Sequence, residues 1–396
     1  MKTQLCLLSG ELMPNVIGVL HDQPHRVVCV ATERSAEQVR PFKSALGSAG
    51  CRPDFGDPVV VEPYNLPKCT ETINRVASPA DGLTVNWTGG TKVMSYAARR
   101  VAQDLCARAL YVNTADSQIL IEEPAGAGPA RVESLNSAKL GLNTLVHIQA
   151  AGHSVDCAPS LGGFRRAHTP APELRAAAEA IVEAPPYYWP DYFKLSEAFD
   201  KAFIPRRLNP KILRLLEDAK IILGDSATGF LLHAETLGRP FHRSSGQEEN
   251  AKFIRGGYLE VFLWSQLKDR GAFDDVAWHL MLNPGARGRG AELDVVVSGE
   301  GRLLTVESKG RLDLSELSDL IEEQYARTRR IGRLFGHWVV YIHQFRAEYQ
   351  SSNAAAILKS QEARARDYGG RIFWHDDLVD FPVLVAGYLN EVRPGL

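Results

Sequence analysis

The sequence predicts a two-domain α/β protein: a parallel sheet covered by helices at the N-terminus, a helical connector, and a second α/β unit at the C-terminus. Three observations carry this expectation. Strand-like runs alternate with helical stretches from Gln4 to Cys106, Pro and Gly punctuate a helix-rich middle, and a strand, turn and strand pattern at Ala291–Gly310 is followed by further helices and strands. With 396 residues, two or three domains with their own cores are expected, and the segments read as 1–150, 151–249 and 250–396.

The first strand, Gln4–Leu8, feeds a segment through Leu20. Arg26–Thr32 precedes a helix at Ser35–Ser48, Pro58–Glu62 precedes Pro67–Ala77, and Leu83–Trp87 precedes Lys92–Cys106. Alternating units of this size imply parallel strands with helices on both faces. Between the fourth strand and its helix lies Asn86-Trp87-Thr88-Gly89-Gly90-Thr91-Lys92. Glycines let the backbone approach an anion, and the free amides of a helix start attract negative charge. Thr88 and Thr91 add hydroxyls, and Lys92 adds a charge. The alternative is a tight strand-to-helix turn with no ligand. Neither a GxGxxG fingerprint nor a Walker A lysine motif is present, which disfavours NAD or ATP.

In the middle, Pro124–Pro129 reads as a loop and Leu142–Ala150 as a helix. A helical stretch centred on Ala176–Ala180 follows, with short helices at Asp191–Ala202 and Pro210–Ala219, while Ile221–Phe241 is ambiguous. This region is either a plain connector or a small winged-helix module.

In the hairpin, a two-residue turn at Glu300-Gly301 sets Asp294 opposite Glu307 and Glu292 opposite Lys309. Strand alternation then gathers Glu292, Asp294, Thr305, Glu307 and Lys309 on one face, with Leu293, Val295, Val297, Leu304 and Val306 packed behind. Directly opposed acids bring their Cβ atoms to about 5 Å and repel. A hard divalent cation offsets that repulsion, and Lys309 can then stabilise charge developing at a scissile phosphate. The alternative is an exposed hairpin with a Glu292–Lys309 surface ion pair. A third acid, Glu260, falls within the apolar stripe of Phe253, Leu263, Trp264 and Leu267 on a helix expected over Phe253–Leu267. A charge there needs either a metal or an arginine partner. Helix Leu314–Arg330, strand His337–Ile342, helix Ser352–Tyr368 and strand Arg371–Trp374 complete the domain.

Glu260 on a helix, Asp294 on one strand and Glu307-Ser308-Lys309 on the next resemble the PD-(D/E)xK pattern of restriction-endonuclease-like folds. That resemblance implies Asp294 and Glu307 as ligands of Mg²⁺ or Mn²⁺, Lys309 as the catalytic lysine and Glu260 as a supporting acid. Gln324, on the next helix, matches a polar position often seen in the fold. Thr88-Gly89-Gly90-Thr91-Lys92 after an apolar strand resembles the ligand loop of CARF domains, the Rossmann-like sensors of cyclic oligoadenylates. Ser9 and Gly10, with Asn15 nearby, sit where that family places a second ligand-contacting loop. Together the two halves resemble ancillary nucleases of type III CRISPR systems. The resemblance implies a homodimer that binds cyclic tetra-adenylate across paired sensor domains, with a metal-dependent nuclease cleft below.

Bulk properties set limits. Lys+Arg at 45 against Asp+Glu at 47 leaves a net charge of −2, so contacts with DNA or RNA must be local. Arg287 and Arg289 offer one such site. Arg327, Arg329, Arg330 and Arg333 offer another, unless they form a solvated helix face. All 6 cysteines lie at or before Cys157 without CxxC spacing, the pattern of a reducing cytoplasm. No apolar h-region or 18-residue apolar span is present, so neither secretion nor membrane insertion is expected. The expected function is a ligand-activated, metal-dependent endonuclease hydrolysing phosphodiester bonds. The rival is a ligand-sensing DNA-binding or transcriptional regulator without catalysis.

Overall fold

The protein is described here from a computed structural model covering residues 1–77, 82–114, 116–124, 128–153, 169–185, 188–198, 202–205, 208–225, 227–233, 246–282, 291–333, 336–349 and 351–391. The N-terminal unit runs β1 (Thr3–Leu7), α1 (Met13–Asp22), β2 (Arg26–Ala31), α2 (Val39–Ser48), β3 (Asp54–Phe55), β4 (Val59–Val60), α3 (Leu66–Val76), β5 (Leu83–Asn86), α4 (Lys92–Asp104), β6 (Arg108–Asn113), β7 (Gln118–Glu122) and β8 (Arg131–Ser134). The sheet order is β3-β2-β1-β5-β6-β7-β8, with β4 also on β2. From β3 to β6 the pairs are parallel, as expected of the strand and helix alternation.

Alternating side chains divide between two cores. Cys6 and Cys29 pack with Val16 of α1 and Phe42 of α2 on one face. Leu5, Leu7 and Val85 pack with Ile73 of α3 and Ala97 of α4 on the other. The two outer strands β7 and β8 are antiparallel. The sequence reading did not anticipate them, because β6 returns through a short turn rather than a crossover helix.

Helix α5 (Thr144–Ala150) joins the two units. Val146 and Ala150 enter the first N-terminal core, whereas Ile148 packs beneath the second sheet with Leu280, Val296 and Leu303. Helices α6 (Pro172–Val182) and α7 (Pro210–Asp218) and the hairpin β9 (Ile222–Asp225) and β10 (Gly229–Leu232) follow. Leu174, Ala177, Ile181 and Leu216 share one core with the C-terminal sheet, so this middle segment is packed into the domain that follows it.

The C-terminal unit comprises α8 (Tyr258–Asp269), preceded by a π-helical turn at Phe253–Gly257, then β11 (Asp275–Leu282), β12 (Ala291–Gly299), β13 (Arg302–Lys309), α9 (Leu314–Gly332), β14 (Gly336–Ile342), α10 (Ser352–Asp367), β15 (Gly370–Trp374) and α11 (Phe381–Glu391). Its strands order as β11-β12-β13-β14-β15, antiparallel at first and parallel from β13 onward. Asp313 and Glu316 close a reciprocal capping box at the start of α9, which fixes where that helix begins. Among the described residues, no helix is long and apolar enough to cross a membrane.

Candidate functional site

The hairpin turns where the sequence places it. Glu300 and Gly301 both have positive φ, 53° and 72°, the two-residue turn that matches the twist of antiparallel strands. The register follows: Val295 pairs with Val306, Val297 with Leu304 and Gly299 with Arg302. Extended by one step, that register faces Asp294 with Glu307. Instead of continuing the ladder, Asp294 Oδ2 accepts from the Ser308 backbone N–H at 2.9 Å and from its hydroxyl at 3.2 Å.

One expectation about this face is corrected. Val295 and Val297 pack on the α8 side, but Leu293 packs on the opposite side with Leu280 and Val296. The same switch occurs on β11, where Trp278 belongs to the α8-side core and Leu280 to the other. The physical cause lies between them. His279 has a left-handed backbone, φ 52°, and interrupts the alternation that period-two reasoning assumed. His279 Nδ1 consequently lies 3.4 Å from Glu260 and 3.2 Å from Glu292, and the ligand atoms of these three residues lie within 4.8 Å of one another. Glu292 therefore meets His279, and the surface pair with Lys309 is not what forms.

Lys309 turns to Glu307 instead. Glu307, only 8% exposed in its side chain, receives Lys309 Nζ on one carboxylate oxygen and Arg327 Nη1 on the other, both at 2.7 Å. Burial, and then the neighbouring Glu260 and Glu307 charges, hold the Asp294 carboxyl well above the ordinary carboxylate range. Burial alone would lower the Lys309 ammonium, but Glu307 and Asp294 outweigh it and raise its pKa.

Gln324 is fully buried on α9, and neither its amide oxygen nor its nitrogen has a partner among the described residues. Thr328 Oγ1 meets Thr305 Oγ1 at 3.0 Å. One helical turn back from Thr328 covers about 6 Å, roughly the span of two strand residues, so Gln324 stands level with Glu307. The arginine cluster downstream divides among separate tasks. Arg327 holds Glu307, the Arg330 carbonyl accepts from or faces His153 Nε2 at 2.7 Å, and Arg333 reaches the N-terminal unit. Arg287 and Arg289 lie outside the described residues.

In the N-terminal unit, β1, β2, β4 and β5 open onto a cleft of about 980 Å³. Ser9, Gly10, Gly90 and Thr91 line it, as do Thr32, Arg34, Glu62, Tyr64 and Arg333, which the sequence reading did not assign to it. The threonine hydroxyls, expected as ligand donors, serve the fold. Thr91 Oγ1 donates to the Pro63 carbonyl at 2.7 Å and caps α4 at the Met94 N–H. Thr88 Oγ1 donates to Asn86 at 2.7 Å and accepts the Val112 N–H. Asn15 is buried and donates to the Leu7 carbonyl at 2.8 Å. A Cβ on Gly89 would stand 1.9 Å from the Leu7 carbonyl oxygen, so close chain approach accounts for that glycine. Lys92 is exposed at the first position of α4.

Residues 3–138 match the family described as the Card1 CARF domain, and residues 247–380 match the family described as the Card1-like endonuclease domain. No curated protein matches the chain. Solved structures share its fold, among them the following three. Can2 from Sulfobacillus thermosulfidooxidans, solved with cyclic tetra-adenylate, is 18% identical with a TM-score of 0.66, covering 99% of both chains. Protein VC1899 from Vibrio cholerae is 14% identical with a TM-score of 0.71, again over 99% of both. A type III CRISPR defence DNA nuclease activated by cyclic oligoadenylate is 16% identical with a TM-score of 0.53, covering 87% of this chain and 45% of that one.

Proposed function

Starting from a chain that joins a Card1-type CARF domain to a Card1-like endonuclease domain, we propose a nuclease of type III CRISPR antiviral defence that is activated by cyclic tetra-adenylate and depends on a divalent metal. Its reaction is hydrolysis of phosphodiester bonds in DNA or RNA. The observation that carries this reading is the gathering of Glu260 and Glu307 around the buried Asp294, whose carboxyl is kept raised first by burial and then by those two acids. Lys309 and Arg327 answer Glu307, but Asp294 has no ion pair among the described residues, and a buried acid beside two others is a liability in a fold unless a cation joins it.

The donor set fits such a cation. Oxygen ligands suit Mg²⁺ or Mn²⁺, and the nearby imidazole of His279 is tolerated by Mn²⁺. Asp294 and Glu307 would hold the ion, with Glu260, His279 and Glu292 as an adjoining donor group. Such an ion supplies Lewis-acid polarisation of the phosphate and activation of the attacking water. Lys309 would leave Glu307 and neutralise charge developing on the phosphate oxygens. Arg327, released from the same carboxylate, remains as a second cation beside the substrate. Gln324, level with Glu307, would donate or accept where its amide has no partner among the described residues.

In the sensor half, the backbone at Ser9-Gly10 and Gly90-Thr91, with Lys92 at the rim of the α4 N-terminus, supports anion binding. A cyclic tetranucleotide has approximate rotational symmetry, which suits two copies of that loop in a homodimer. The thiols of Cys6, Cys29, Cys51, Cys69 and Cys106 are free, which fits a reducing cytoplasm.

The test is cleavage of single-stranded and supercoiled DNA and of RNA. Each substrate is incubated with cyclic tetra-adenylate, with the metal first chelated and then restored as Mg²⁺ or Mn²⁺. Loss on chelation and recovery on restoration are expected. Cleavage that survives chelation would overturn the metal-dependent reading, and binding of the ligand with no cleavage of any substrate would favour the non-catalytic regulator.

A further inference from the structure

Arg333 follows the last residue of α9 in the endonuclease domain, yet it lines the sensor cleft. Its Nη1 lies 3.6 Å from the point a Cβ would occupy on Gly10 and 3.9 Å from the Glu11 carboxylate. Its Nε and Nη2 donate to the Ala151 carbonyl at 3.4 and 3.3 Å. The backbone that aims it there is left-handed, φ 50° at a non-glycine position, which ordinary packing does not favour. The guanidinium is one-third exposed and shares the lining of the cleft with Arg34. Glu11, the carboxylate paired with it among the described residues, is itself raised above its usual pKa by burial despite Arg333 and Arg329. Arg333 is therefore a cation held on long, weak contacts, facing a cleft in which the Thr91 hydroxyl is already engaged by the fold.

We propose that Arg333 is a phosphate-binding residue of the sensor, supplied by the endonuclease domain, and that it carries ligand occupancy into the active site along α9. This rests on the reading of the cleft as a cyclic oligoadenylate site. A planar guanidinium binds phosphate through paired, charge-assisted hydrogen bonds, better than its present carbonyl and carboxylate contacts. Binding draws Arg333 from Ala151 and Glu11 toward the ring. Six residues earlier on the same helix, about 9 Å along its axis, Arg327 holds Glu307. A shift or rotation of α9 toward the sensor loosens that contact and frees the carboxylate. The ligand thus binds the state with Arg333 engaged more tightly than the idle one, which is what activation requires.

The test is calorimetric titration of cyclic tetra-adenylate into the full chain, with cleavage measured in parallel. Arg333→Ala is expected to weaken binding by about 10- to 100-fold, and Arg333→Lys to recover only part of it, because the fork is lost while the charge remains. Glu11→Gln is the discriminating variant. It removes the competing carboxylate, so ligand binding should tighten, whereas a merely structural Arg333–Glu11 clamp would make both variants fail in the same direction. Melting temperatures of the variants are measured alongside. Equal affinity for wild type and Arg333→Ala, or parallel losses in Arg333→Ala and Glu11→Gln, would overturn the proposal. A wild-type chain that does not bind the ring at all would instead overturn the reading of the cleft, and binding of inorganic phosphate or ATP at similar affinity would do the same.

Discussion

Glu307 sits between two cations, and that sets what each neighbour does when it is changed. Lys309→Met removes one of them and a charge that is expected to act on the phosphate, so cleavage should slow by roughly 10²-fold or more while Mn²⁺ affinity is kept. Lost metal affinity with an unchanged rate at saturating Mn²⁺ would refute that role. Asp294→Asn removes a carboxyl that burial and two neighbouring acids already disfavour. Cleavage should vanish while the metal-free melting temperature holds or rises. A drop in melting temperature would show that the Ser308 contacts outweigh the repulsion. The placement of Asp294 opposite Glu307, with Lys309 beside it, was legible in the sequence because a two-residue turn fixes the register. His279 was not, because nothing in the Trp278-His279-Leu280 run announces a left-handed residue inside a strand. Its role is testable on its own, since His279→Ala should weaken Mn²⁺ binding by about 10-fold or more if the imidazole supports the site.

The hairpin β12 and β13 is the element on which the site depends, and its turn is demanding. Both central positions are left-handed, and a Cβ on Gly301 would stand 3.1 Å from Leu135 of the sensor side. Gly301→Val therefore costs on the order of 1–2 kcal/mol in backbone strain alone, with the Leu135 contact added. Denaturant midpoints would read it, and an unchanged midpoint would mean that the turn relaxes. At this scale the alternation of strands and helices was readable from β1 to α4 and again from α9 to β15, because each element buries one consistent face. The antiparallel β7 and β8, strand β11 and helix α11 were not, since Asp275–Leu282 mixes buried and half-exposed positions without a clean period. Gly90→Val is not a clean test of ligand approach. Gly90 has φ 76° and a Cβ there would meet Met94 at 3.1 Å, so that variant strains the loop itself.

Across the whole molecule, the two halves are not independent beads. Ile148 of α5 packs under the endonuclease sheet, Thr144 donates to Asp275 at 2.9 Å, and Arg333 returns the contact from the other side. Sequence could divide the chain at such points but could not show that its middle helices share a core with the nuclease sheet, because that packing joins segments far apart in the chain. Stability should also carry a global pH signature. Burial holds the imidazoles of His147 and His343 down to about 3, the latter helped by His375, and burial with Arg302 and Arg329 holds His337 at about 4. The unfolded chain gains protons below about pH 6.5 while the folded one does not, so stability present above that pH is lost as pH falls. By pH 5 each histidine removes about 2 kcal/mol, and the melting temperature should drop clearly from its pH 7 value. An equal melting temperature at the two pH values would refute buried neutral histidines. The central claim, that sensor occupancy switches on chemistry at the acid-rich hairpin, is tested most directly by the cleavage rate as a function of cyclic tetra-adenylate at saturating Mn²⁺. Wild type should rise from near zero to a plateau while Asp294→Asn stays flat although it binds the ring equally well. A wild-type rate independent of the ring, or a ring-dependent rate in Asp294→Asn, would contradict it.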